Sequence, residues 1–196
     1  MRYRADITAG ALKVPECRIV ADLLLRDVDA EGWRLAIFEE NVLQARSPMT
    51  AKRLRTLLRG RLETMDAELW RLVRDGTRTV ATHACLAAAV KRSALLGDFL
   101  DLVIREQYRV FQKTLSNSLW RDYVHDCRGR DPEMPIWSES TIRRLRSSVF
   151  QILTEAGYID STKARKLQTV HIVRPVIRYL EKHDEQYVLR CLQVGT

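Results

Sequence analysis

From Val14 to Ala156 the apolar residues recur every three to four positions, and this period leaves room for little besides helices. Ser47-Pro48 is a helix start, a serine cap followed by proline in the first turn, after which Leu54, Leu57, Leu58 and Leu62 fall on one side. Pro15 opens an earlier helix to about Leu25, with Ile19, Leu23 and Val20 or Leu24 inward. Asp29 or Ala30 begins another that carries Trp33, Ile37, Phe38 and Val42. Thr64 is expected to cap a helix that turns Leu69, Trp70 and Val73 inward and stops at Gly76. Helices over 78–93 and 95–112 follow, then one from Ser116 or Ser118 to near Gly129. The prolines and glycine of 128–137 make a loop. A helix over 140–156 ends at Gly157, and two short helices cover 175–183 and 184–193.

Tyr158-Ile159 and Thr169–Val173 are the segments that read as strands, with a basic turn between them. A helix followed by a basic hairpin is the outline of a winged helix. The expected fold class is therefore mainly α. An all-helical bundle over 1–112 packs on a winged-helix-like region over 113–196, with one short β-hairpin and added terminal helices.

The helix over 140–156 has two unlike faces. Ile142, Leu145, Val149, Ile152, Leu153 and Ala156 share one, at about 100° per residue. Ser140, Arg143, Arg144, Ser147, Gln151 and Thr154 collect on the other. Arginine suits a guanine edge, glutamine an adenine edge, and serine a phosphate. Ser138 or Ser140 caps the helix, whose free N–H groups can hold a phosphate. Lys163, Arg165 and Lys166 lie in the turn, where a wing touches the DNA backbone. Eight basic residues against three acidic ones over 138–178 favour a polyanionic partner. The competing reading is a solvated polar face, and some winged helices bind only protein.

A second basic stretch runs from Arg46 to Arg61 and contains Lys52, Arg53, Arg55 and Arg59 but no acidic residue. Lys52, Arg55, Thr56 and Arg59 share a face opposite Leu54, Leu57 and Leu58. Six phosphate contacts there would cost roughly three orders of magnitude in affinity between about 50 and 200 mM salt. The same face could pair with Glu39, Glu40 and Glu63, or dock an acidic protein.

Catalytic signals are weak throughout. The chain has no glycine-rich phosphate loop, nucleophile elbow or HExxH. His83 and Cys85, like His125 and Cys127, stand two apart and so point to different sides of a helix. Neither a metal nor a cofactor is expected, and the reading is not an enzyme. Cys17, Cys85, Cys127 and Cys191 are widely spaced, which fits reduced thiols in a cytoplasmic protein. Lys91, Arg92, Asp98 and Asp101 interrupt the apolar Val80–Ile104 region, so no membrane span is expected. Trp33, Trp70 and Trp120 read as core anchors, and Trp137 lies just ahead of the presumed reading helix.

Several segments carry a family resemblance. They are Tyr3-Arg-Ala-Asp-Ile-Thr-Ala-Gly-Ala-Leu12, Val14-Pro-Glu16, Glu40-Asn-Val-Leu-Gln-Ala-Arg-Ser-Pro48, Thr50-Ala-Lys-Arg53, Glu68-Leu-Trp70 and Ala156-Gly-Tyr-Ile159. Together they resemble the BrxA family of bacterial BREX phage-defence systems along the whole chain. The resemblance implies a multi-gene system that methylates its own DNA and blocks phage replication. It also implies a helical body similar to NusB-type antitermination proteins, a nucleic-acid-binding role and no catalytic site. Double-stranded DNA is the expected partner. The rival readings are an adaptor for other BREX proteins and a NusB-like binder of RNA.

Overall fold

The computed structural model describes residues 2–7 and 11–195. Thr8, Ala9 and Gly10 of the family-like N-terminal motif lie outside the described residues. Among the described residues eleven α-helical elements follow one another, and their caps explain most boundaries. Helix α1 (Val14–Leu25) has proline in its first turn. The Asp29 carboxylate accepts from Gly32 N–H to start α2 (Ala30–Arg34), which runs on as a π-helical turn over Leu35–Glu39. Ser47 caps α3 (Pro48–Leu62) through Thr50 N–H, as its sequence announces.

The next start differs from expectation. Asp66, not Thr64, caps α4 (Ala67–Asp75), accepting from the N–H groups of Glu68 and Leu69. The Thr64 hydroxyl instead donates to the Arg61 carbonyl at 2.7 Å, closing the end of α3. Helix α5 (Arg78–Arg92) is followed by α6 (Ala94–Asp98), a π-helical segment over Phe99–Ile104 and α7 (Arg105–Arg109). Then come α8 (Ser118–Arg130), α9 (Glu139–Ala156), α10 (Arg174–Lys182) and α11 (Gln186–Leu192). Among the described residues no helix is long and apolar enough to cross a membrane.

The expected β-hairpin is not formed, and with it goes the strand-containing winged-helix outline. Among the described residues Ile159 makes one isolated bridge, to Leu167 in the turn, Thr169–Val173 makes none, and a further isolated bridge joins Thr114 to Lys166. The alternation that suggested a strand at Thr169–Val173 is real as burial: Val170 and Ile172 are buried while Thr169 and His171 are exposed. Period-two burial needs only one covered side, whereas a ladder also needs a partner backbone in register. This segment has one side covered and no ladder, so its pattern reports packing.

The chain groups into two compact units, one of residues 1–11, 93–172 and 180–196 and the other of 12–92 and 173–179. These bounds differ from the 1–112 and 113–196 segments because the chain crosses between the units four times. The second unit is built around α5, whose Ala81, Ala84, Leu86, Ala87, Ala88, Ala89 and Val90 are wholly buried. Small side chains on every side of one helix let α1, α3 and α4 approach it closely. His83 on α5 is also buried, and its Nδ1 accepts the Val173 N–H at 3.2 Å. Burial lowers the His83 pKa, which keeps the imidazole neutral and able to accept. Cys17 and Cys85 lie inside this unit as free thiols, as Cys127 and Cys191 do in the other.

The first unit has an aromatic centre. Phe99 meets Trp120 edge-on at 5.1 Å and Tyr123 at 5.2 Å between ring centroids. Beside it Asp98, 4% exposed, receives the hydroxyls of Tyr3 and Tyr187, each at 2.7 Å, and pairs with Arg2. A Cβ on Gly97 would strike the Tyr187 hydroxyl, so glycine makes room for this knot. Asp131 fixes the same N-terminal segment by accepting the N–H groups of Arg2 and Tyr3 at 2.5 and 3.0 Å. The bond from Tyr3, with that from Arg2, holds the Asp131 carboxyl below the usual carboxylate range. Asp101 joins Arg105, as its helical spacing suggests, and also Arg190.

Candidate nucleic-acid interface

Helix α9 forms where its sequence places it. Ser138 accepts the Thr141 N–H at its start, and Gly157, at φ 88°, turns the chain out of the helix at its end. The buried side presents Leu145, Val149, Ile152 and Leu153, all fully covered. Trp120 on α8 donates its indole N–H to the Ile142 carbonyl at 3.0 Å and fixes the first half of α9. That packing leaves Ser140, Arg143, Arg144, Ser147 and Gln151 facing solvent.

The outward row is ordered by local bonds that leave its charges unspent. The Ser147 hydroxyl donates to the Arg143 carbonyl at 3.0 Å, and the Gln151 amide donates to Glu155 at 3.0 Å. The Ser138 and Ser140 hydroxyls share a hydrogen bond at 2.9 Å. Arg143 and Arg144 have no carboxylate partner among the described residues. Two solvated guanidiniums one residue apart, flanked by hydroxyl and amide groups, can reach phosphates and base edges together.

The loop after α9 is short and closely held. Ser161 accepts the Ala164 N–H at its hydroxyl and the Arg165 N–H at its carbonyl, while Asp160 accepts the Lys166 N–H at 2.9 Å. Lys163 and Lys166 are exposed on this frame. Arg165 is placed differently. Its backbone is left-handed at φ 54°, it is half-buried, and its Nε donates to the Leu115 carbonyl at 3.0 Å. Its guanidinium braces the loop against the chain around Leu115, where Leu115 N–H in turn donates to the Arg165 carbonyl at 3.0 Å.

This bracing brings in a basic residue that sequence reasoning missed. Lys113 is exposed, and its carbonyl accepts the Leu167 N–H at 3.0 Å, so it flanks Lys166. Nothing in the local sequence around Lys113 signals a neighbour so distant along the chain. Trp137, ahead of α9, is half-buried.

The basic helix α3 belongs to the other unit. Lys52 and Arg53 are exposed there, and Arg55 and Arg59 are half-buried. Arg59 donates to Glu63 at 2.6 Å and lies over the Trp33 ring at 4.7 Å. Its charge is thus engaged, as the pairing with Glu63 anticipated, and Arg61 is buried at 2% exposure. Fewer cations face outward from α3 than its composition promised. Among the described residues no group of three or more histidine, cysteine, aspartate or glutamate side chains is arranged to hold a metal.

Comparison with known proteins agrees with the family-like segments. The family model described as BrxA matches residues 1–184. A "BREX protein BrxA" of Paramagnetospirillum magneticum is 54% identical over 99% of this chain and 98% of its own length. A second protein of the same description, from Escherichia coli O9:H4, is 31% identical over 96% of this chain and 88% of its own. A crystal structure of an uncharacterized protein from Magnetospirillum magneticum superposes with a TM-score of 0.93 at 52% identity, covering 99% of this chain and 100% of that one. A match of this extent, in sequence and in fold, makes the chain a member of the BrxA family.

Proposed function

We propose that this chain is a non-enzymatic component of a BREX phage-defence system that grips duplex DNA through α9 and the loop that follows it. The observation that carries this reading is the row Ser140, Arg143, Arg144, Ser147 and Gln151. It faces solvent on a helix whose other side is locked into the core. Arg143 and Arg144 supply charge-assisted contacts, Gln151 and the serines supply polar ones, and Lys163 and Lys166 hold the flanking backbone. Membership of a BREX system rests on the description borne by the relatives. The exposed cations of α3, Lys52 and Arg53, offer a second phosphate contact surface on the other unit.

The test is a titration of duplex DNA against wild type and Arg143→Ala/Arg144→Ala at several salt concentrations. The double substitution is expected to weaken binding by about tenfold or more. It should also flatten the salt dependence by about 0.9 in log–log slope for each phosphate contact removed. Unchanged affinity and slope would take α9 out of the interface. Tighter binding to RNA of matched charge would favour the NusB-like reading instead.

A further inference from the structure

Phe111 is the most exposed large apolar side chain among the described residues, at 89%, and its neighbour Val110 is 51% exposed. Its backbone is as unusual as its side chain. Helix α7 ends in a left-handed turn in which Phe111 N–H donates to the Tyr108 carbonyl at 3.0 Å and Gln112 N–H to the Gln107 carbonyl at 2.9 Å. That is the bond pattern of a glycine-terminated helix, with phenylalanine at φ 53° in the glycine position. The other described non-glycine residues at positive φ are lysine, aspartate, asparagine, glutamine and arginine. A bulky ring in this position is conformationally unfavourable and, being exposed, gains nothing from burial within the chain.

The ring is held beside the basic loop. On one side the Tyr108 hydroxyl donates to the Gln168 carbonyl, and on the other the Lys113 carbonyl accepts the Leu167 N–H. Phe111 therefore tops a short bulge whose two ends are tied to neighbouring residues of one segment, two positions before the exposed Lys113, and the next residue, Thr114, bridges to Lys166. Two acids lie in the same segments, one ion-paired and one held by a backbone N–H. Glu106 pairs with Arg109 at 3.1 Å, and Asp160 accepts the Lys166 N–H. An apolar tip framed by exposed lysines fits a partner that offers phosphates and an apolar stack in alternation.

From this geometry we infer that Phe111 is a wedge that presses into a base step of duplex DNA while Lys113, Lys163 and Lys166 hold the backbone on either side. The inference rests on the DNA-binding reading above and adds to it a mode of engagement. Proteins that grip single strands without sequence preference present several aromatic platforms in succession. A single ring beside an aliphatic residue is the arrangement of side chains that unstack one step and bend a duplex.

Phe111→Gly separates this role from folding, because glycine suits the left-handed position. The variant is expected to melt at the wild-type temperature or above. Bound to a duplex carrying 2-aminopurine at successive positions, wild type is expected to raise the fluorescence of one site as that base unstacks. Phe111→Gly should abolish the rise and weaken binding about tenfold, with the salt slope unchanged because no charge is lost. Phe111→Trp should retain both.

Wild type that binds duplex with its usual salt slope but gives no 2-aminopurine response overturns the wedge alone, as does a glycine variant that binds equally well. Wild type that fails to bind duplex at all overturns the DNA reading and the wedge with it. Dependence on Phe111 seen only with single-stranded RNA, or only as concentration-dependent self-association in sedimentation, assigns the ring to another partner and also overturns the proposal.

Discussion

At the scale of single residues, His83 shows how burial converts a titratable group into a pH limit on stability. Its Nδ1 must be unprotonated to accept the Val173 N–H, and burial lowers its pKa from the ordinary value. The unfolded chain therefore takes up the proton first as pH falls. The stabilising contribution is complete above about pH 6.5 and is lost as pH drops through the folded-state value. Thermal melts between pH 8 and pH 5 should show a falling midpoint on the acid side. His83→Gln keeps a side-chain acceptor without titrating, and should flatten that fall while staying folded at pH 7.5. A wild-type midpoint indifferent to pH over this range would remove His83 as its cause. In sequence, His83 differs from an ordinary helical histidine in nothing but its Ala-rich surroundings. The residue it serves, Val173, stands far along the chain.

Among elements, the loop after α9 divides its three cations into two kinds, and substitution should separate them. Lys163→Ala and Lys166→Ala remove exposed charge, so each should weaken duplex binding to a similar degree for all sequences and lower the salt slope by about 0.9. Arg165→Ala removes the bond to the Leu115 carbonyl, worth about 1–3 kcal/mol for a donor of this charged type. It should lower the melting midpoint and loosen the loop, visible as faster amide exchange at Leu115 and Leu167. Equal behaviour of all three variants in stability would contradict the bracing role. The helices were legible where their ends are written locally, as Ser47-Pro48 does for α3 and Ser138 and Gly157 do for α9. The outward face of α9 was legible for the same reason, since one amphipathic period fixes both of its sides. The hairpin was not. Alternation at Val170 and Ile172 records covering on one side, and whether a backbone lies alongside in register is decided by the rest of the fold. The bracing of Arg165 and the placement of Lys113 depend on that same long-range contact.

For the whole molecule, the order of segments is the informative quantity. A cut at residue 112 divides one compact unit, because Phe99 would part from Trp120 and Tyr123, and Asp98 from Tyr187. Losing a buried phenylalanine costs about 3–5 kcal/mol, comparable to the total stability of a small domain. A fragment of residues 113–196 should consequently lack a cooperative thermal transition, and a sharp, reversible melt of that fragment would contradict this assignment of its core. The same enclosed packing has a practical side. All four native thiols are shut away from solvent, so maleimide dyes will discriminate strongly in favour of a sulfhydryl introduced at an exposed position such as Thr162. A fluorophore installed there without first stripping the natural cysteines would sit beside Lys163, well placed to report the arrival of a nucleic acid in real time.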